Sequence, residues 1–179
     1  MLNRNSTLLI VTDIQGKLAR LMFEKETLFR NIGIMIDGAK ILDIPILWVE
    51  QYPEGLGPTV PEVASHLEGH TPLSKKTFSS LKDPIITKRF EEFGRNQVII
   101  VGIETHVCIY QTSMDILARG IETHVVEDAV SSRTEFNKRI GLSKIARAGG
   151  HITSVETALF ELLENADGET FKKILALVK

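Results

Sequence analysis

The stretch Gln97–Gly120 reads QVIIVGIETHVCIYQTSMDILARG. It starts with a continuous apolar run, Val98–Val101, and breaks at Gly102. It crosses a short polar turn and restarts with apolar residues at Val107, Tyr110, Met114, Leu117 and Ala118. Those spacings lie on one face of a helix, so the piece reads as strand, tight turn, helix. The chain's single cysteine, Cys108, falls in the first turn of that helix.

That position has chemical consequences. The first N–H groups of a helix have no internal partner, and the helix dipole adds partial positive charge beside them. A free thiol titrates near about 8.5, and helix N-termini or neighbouring cations lower this to roughly 3.5–7.5. The same N–H groups can hold a developing oxyanion. A lone cysteine is equally at home as a small buried hydrophobe, so Cys108 by itself leaves both roles open.

Working toward the N-terminus, Thr7–Thr12 (TLLIVT) is apolar on both faces, as a central parallel strand is, and Asp13 follows it. Ligands of open α/β sheets bind outside the carboxyl ends of the strands. An aspartate there also serves as an ordinary turn residue. Glu26–Asp43 carries Leu28, Ile32, Met35, Ile36, Ala39 and Leu42 on one helical face and stops before Pro45. Ile46–Glu50 reads as the second strand. Gln51–Pro61 (QYPEGLGPTVP) holds three prolines and two glycines. It reads as a loop in which Tyr52 or Leu56 either lines a pocket or simply faces solvent. Val60–Leu67 reads as a short helix, Thr71–Lys75 as a third strand, and Lys82–Gly94 as a helix with Pro84 in its first turn. Lys75 and Lys76 adjoin in that strand and face opposite ways, so at most one enters a given cleft.

Toward the C-terminus, Glu122–Glu127 reads as the fifth strand and His151–Thr153 as the sixth. Ser132 with Glu135, and Thr153 with Glu156, have capping-box spacing for helices running to about Ala148 and over Val155–Leu163. A last helix covers Glu169–Val178. His124 and His151, one in each of these strands, read as packed or hydrogen-bonded side chains. Strands and helices alternate six times. This predicts an α/β fold, a three-layer, doubly wound, Rossmann-like parallel sheet of six strands, as a single domain over residues 1–179. A GxGxxG fingerprint and a Walker A lysine are both missing, which argues against a dinucleotide or P-loop site.

Composition narrows the class. The 179 residues are 43% hydrophobic and 25% charged, with a net charge of −2. That balance offers no attraction to nucleic acid or to an anionic membrane. One cysteine leaves no intrachain disulfide and no CxxC zinc pair, which fits a reducing compartment. The first apolar run is too short for a signal peptide, and none approaches the ~18–20 residues of a membrane span. The expectation is a cytoplasmic domain acting on a small-molecule substrate.

Asp13, Lys75 and Cys108 thus fall at the carboxyl ends of three strands. If those strands are neighbours, a carboxylate can take the thiol proton and an ammonium can favour both anions. At this point the chain resembles the isochorismatase-like (cysteine hydrolase) family, which includes nicotinamidases and N-carbamoylsarcosine amidase. The resemblance covers most of the chain. It rests on Asp13-Ile14-Gln15, on Lys75-x-x-Phe78-Ser79, on Gly102-Ile103-Glu104-Thr105-His106-Val107-Cys108, and on Asp128-Ala129-Val130-Ser131-Ser132-Arg133.

The resemblance implies a Cys108 nucleophile, Asp13 as its base and Lys75, selected over Lys76 by the K-x-x-F-S spacing, as the electrostatic partner. It also implies a cis Ile103–Glu104 peptide, an oxyanion hole from the backbone N–H groups of Glu104 and Cys108, strand order 3-2-1-4-5-6, and a homo-oligomer. Gln15, Tyr52, Phe78 and Glu104 are its candidate substrate-binding residues. Arg133 is either a carboxylate binder at the rim or half of a surface ion pair. His106 is two residues from Cys108, and residues two apart on a helix point to different sides, which favours a capping or packing role.

The departures from the family pattern also carry information. Nicotinamidases of this family place an Asp-x-His pair and a further histidine after the second strand to hold a metal. Here that region is Val49-Glu50-Gln51-Tyr52-Pro53-Glu54-Gly55, without histidine. No metal or cofactor is therefore expected at the site. Retention of Cys108 points to acyl chemistry on a small amide or ureide. The alternatives are a vinyl ether hydrolase of the isochorismate type using Asp13 without the cysteine, and an inactive oligomeric binding protein of the same fold.

Overall fold

In a computed structural model describing residues 1–179, the buried run Thr7–Thr12 is β1. It is followed by the one-turn helix α1 (Gly16–Ala19), α2 (Lys25–Ile41), β2 (Ile46–Gln51), the short helices α3 (Pro53–Leu56) and α4 (Pro61–Ala64), and β3 (Leu73–Lys75). Then come α5 (Pro84–Glu92), β4 (Gln97–Ile103), α6 (Tyr110–Leu117), β5 (Glu122–Ser131), α7 (Glu135–Arg147), β6 (His151–Thr153), α8 (Val155–Leu163) and α9 (Gly168–Val178). All strand pairs are parallel, in the order β3-β2-β1-β4-β5-β6. The order reverses between β1 and β4, so their carboxyl ends border the crevice where such sheets bind ligands.

The two-residue period of the strands builds the layers. Leu9 and Val11 of β1 and Ile99 and Val101 of β4 pack with α2, α8 and α9, among them Ile32, Leu159 and Ile174. Leu8 and Ile10 of β1 and Val98 and Ile100 of β4 pack with α5, α6 and α7, among them Phe90, Ile116 and Ile145. Both faces of the central strands are therefore dry, as their unbroken apolar runs require.

Several boundaries differ from the sequence reading, each for a local reason. β5 continues past Glu127 to Ser131. A register shift moves its pairing from Ile100↔Val125 to Gly102↔Val130, so the polar Glu127-Asp128 lies in a bulge and the strand resumes after it. Ser132 does not cap α7; Thr134 does, accepting from the Asn137 N–H. Thr153 likewise still belongs to β6, and Ser154 caps α8 by accepting from the Thr157 N–H. The stretch Val60–Leu67 divides into α4 and a 3-10 turn, Ser65–Leu67. Cys108 sits in a π turn, Thr105–Ile109, ahead of α6.

Two glycines set the approach of backbone to backbone around that turn. Gly102 has φ 126°, and a Cβ there would lie 2.0 Å from the Thr12 carbonyl oxygen. Gly141 of α7 faces the Thr105 carbonyl so closely that a Cβ would lie 2.6 Å from it. Bare backbone at both positions brings β1, the π turn and α7 together one residue from Asp13.

Candidate active site

Asp13 directly follows β1, in the left-handed region with φ 64°. Its N–H donates to the Val49 carbonyl of β2 at 3.1 Å, and its carbonyl accepts from the Gln15 N–H at 2.8 Å, closing a tight turn. A non-glycine residue held there by surrounding bonds is typical of functional sites. Lys75 ends β3, two strands away. Its ammonium reaches across the end of β2 to donate to Asp13 Oδ2 at 2.7 Å and to Gln51 Oε1 at 2.6 Å. The lysine and aspartate side chains are 0% and 4% exposed. Lys76, by contrast, is exposed and lies 5.3 Å from the Tyr52 ring centre.

Cys108 is buried and close enough to Asp13 and Lys75 for both charges to act on its thiol. Asp13 Oδ1 is buried without a hydrogen bond of good geometry, which leaves it free to accept the thiol proton. The Ile103–Glu104 peptide is cis. A helix terminus predicts a lowered thiol, and the site does the opposite. Burial first, then the Asp13 carboxylate, push the Cys108 thiol up, against the pull of Lys75. Burial also raises Asp13, opposed by the charge and hydrogen bond of Lys75. Asp13 is thus a stronger base than an ordinary aspartate, beside a thiol that holds its proton tightly.

This pairing has a measurable sign. Asp13→Asn removes the anion that holds the thiol up and leaves Lys75 to favour the thiolate. Alkylation of Cys108 is expected to accelerate at neutral pH, with its inflection displaced to lower pH than in the wild type. A rate profile against pH, read by intact mass, checks this; an unmoved or higher inflection contradicts the coupling.

The other expected residues divide. Gln15 is fully buried and its amide is already committed: Nε2 donates to the Gln51 and Gly57 carbonyls, and Oε1 accepts from the Gln51 N–H. It positions the loop after β2 and has no donor left for a substrate. Tyr52 and Phe78 are exposed at the surface, 46% and 56% respectively. Glu104 is buried at the turn, where Oε1 accepts from the backbone N–H and Nε of Arg133 at 3.2 and 3.1 Å. Arg133 is thus paired within the chain, and Glu104 adds a negative charge near the thiol. His106 turns away, with Nδ1 3.0 Å from Ser132 Oγ.

Gln51 is the residue the sequence reading missed. A glutamine after a strand carries no special signal, but its register opposite Lys75 places it on the ammonium. A cleft of about 730 Å³ lies at β5 and β6 and includes none of Asp13, Lys75 and Cys108.

Comparison with known proteins finds relatives across nearly the whole chain. Residues 7–157 match the family described as "Isochorismatase domain". The chain is 37% identical over 181 residues to "Secreted isochorismatase effector Isc1" of Phytophthora sojae, covering 98% of this chain and 85% of that one. It is 37% identical over 177 residues to "Isochorismatase domain-containing protein 2A" of Mus musculus, covering 97% and 83%. A solved structure described as MAR1 ribonuclease from Caenorhabditis elegans superposes with a TM-score of 0.91 at 36% identity, covering 99% of this chain and 91% of that chain.

Proposed function

The chain belongs to the isochorismatase family, and from that premise we propose that it is a cysteine hydrolase cleaving the C–N bond of a small amide or ureide. The observation that carries the proposal is the buried Lys75–Asp13 pair with Asp13 Oδ1 free beside the Cys108 thiol. Cys108 Sγ attacks the carbonyl carbon while its proton passes to Asp13. The backbone N–H groups of Glu104 and Cys108 receive the oxyanion. Asp13 then protonates the leaving nitrogen, the C–N bond breaks, and a thioester remains on Cys108. Water enters, gives a proton to Asp13 and attacks the thioester; collapse releases the acid and returns the proton to sulfur. Lys75, fixed by Gln51, holds Asp13 in place throughout and balances its charge.

Residues 1–179 act in this reading as one domain in the cytoplasm, and as a homo-oligomer. Phe136 and Ile140 of α7, 72% and 44% exposed, offer one apolar contact face for a second copy. No helix is long and apolar enough to cross a membrane.

Two other substrates compete. A vinyl ether of the isochorismate type needs Asp13 as an acid and no thiol. RNA enters because the similar Caenorhabditis elegans structure is described as a ribonuclease; a net charge of −2 supplies little of the positive charge that phosphate binding calls for. A panel of amides, ureides, isochorismate and an RNA oligomer, assayed with wild type, Cys108→Ala and Asp13→Asn, separates them. Turnover of an amide or ureide that both variants lose is expected. Isochorismate turnover that survives Cys108→Ala, or RNA cleavage alone, overturns the proposal.

A further inference from the structure

Away from the active site, β5 and β6 bring together three side chains with metal-ligand chemistry. Glu122 and His124 are two apart on β5 and share a face of the sheet. His151 on β6 is the register partner of His124 and shares that face too. The two imidazoles stack with centres 4.7 Å apart, and His124 Nε2 lies 2.7 Å from Glu122 Oε1. One nitrogen from each histidine and one carboxylate oxygen all lie within 4.8 Å of one another. We propose that Glu122, His124 and His151 form a binding site for a divalent transition-metal ion of the zinc type.

The geometry needs only small adjustments. Ligand bonds of about 2.0–2.2 Å put the donors of a tetrahedral ion roughly 3.4 Å apart. The ion takes the place of the proton shared by Glu122 and His124, the ring proton of His124 moves to Nδ1, and the exposed His151 ring rotates inward. Glu122 is already oriented: its Oε2 accepts from Gln97 Nε2 at 3.0 Å, which turns Oε1 toward His124. Gln97 is buried, and its Oε1 accepts from the Asn3 N–H at 2.7 Å, so this outer support is fixed by the fold. Such outer partners are what hold metal ligands in place.

The donor set decides the class of ion. Two imidazoles and one carboxylate suit zinc and its neighbours, whereas magnesium and calcium take oxygen donors. The three residues line the cleft of about 730 Å³, so a fourth position stays open to water or a small ligand. The bound ion joins the three-residue edge strand β6 to β5, where the ladder alone is short.

The test uses full-length protein carrying Cys108→Ser, which removes the thiol as a competing ligand. Metal-stripped protein is titrated with Co²⁺ and read by the visible bands of a tetrahedral cobalt site, then with Zn²⁺ in competition. One ion per chain is expected. His151→Ala, at an exposed position that leaves the fold intact, weakens binding about 100-fold or more, and Gln97→Leu weakens it about 10–100-fold. His66→Gln, at a half-buried histidine outside the cluster, leaves binding unchanged. Absence of a cobalt spectrum at millimolar Co²⁺, or binding indifferent to His151→Ala, overturns the proposal.

Discussion

Cys108→Ala is expected to lower turnover of the amide or ureide substrate by about 10⁴-fold or more, the scale seen when a nucleophile is removed from a unit acting together. Asp13 and Lys75 remain paired in this variant, but the carbonyl meets no group that can form a covalent bond. Cys108→Ser loses activity to a similar extent, because a hydroxyl holds its proton far more tightly than a thiol and Asp13 is not basic enough to take it. Folding is affected little by Cys108→Ala: the side chain is small, and its removal leaves the 2.7 Å Lys75–Asp13 bond intact. Urea unfolding of the variant is expected within about 1 kcal/mol of wild type. A joint loss of activity and stability would instead make Cys108 a packing residue.

Lys75→Met carries the second large effect, and this one falls on stability as well as activity. The methionine fills the space but leaves the Asp13 carboxylate buried with no cation. Breaking a buried pair by removing one partner costs about 3–5 kcal/mol. The sign with pH follows from Asp13, whose folded value is already raised by burial and held back chiefly by Lys75. Without Lys75 it rises further. A carboxyl with a raised folded value is favourable to the fold below its unfolded value of about 3.9, and that advantage is lost as pH rises through the folded value. The stability deficit of Lys75→Met is therefore largest near neutral pH and shrinks as pH falls and Asp13 takes up a proton. The double variant Lys75→Met/Asp13→Leu, with no charge left to bury, is expected to be more stable at neutral pH than Lys75→Met alone. Urea midpoints across pH for the three proteins check this; a deficit that grows on acidification contradicts it.

The central strands were legible because they are buried on both faces: TLLIVT and VIIV have no other use in a chain of this composition. The convergence of Asp13, Lys75 and Cys108 was legible as well, through strand ends and the motif resemblance, since in a parallel sheet all carboxyl ends point one way. What sequence spacing missed depends on contacts made across the fold. The continuation of β5 through Asp128 needs a bulge, which looks in sequence like a strand end. Ser132 has the spacing of a cap but is buried at the end of that strand and bonded to His106. The direction of the Cys108 shift was misjudged because a helix terminus is visible in sequence, while burial and the facing Asp13 are not. Gln51 acquires its role only when β2 and β3 pair.

The central claim is that the carbonyl becomes bonded to Cys108, and intact mass across the first turnover tests it most directly. Wild-type protein is mixed with substrate, quenched in acid at successive times, and digested to locate any adduct. A transient gain equal to the substrate less its leaving amine, on the peptide containing Cys108, is the predicted result. Full release of product in the first turnover with Cys108 unmodified at every time would contradict it.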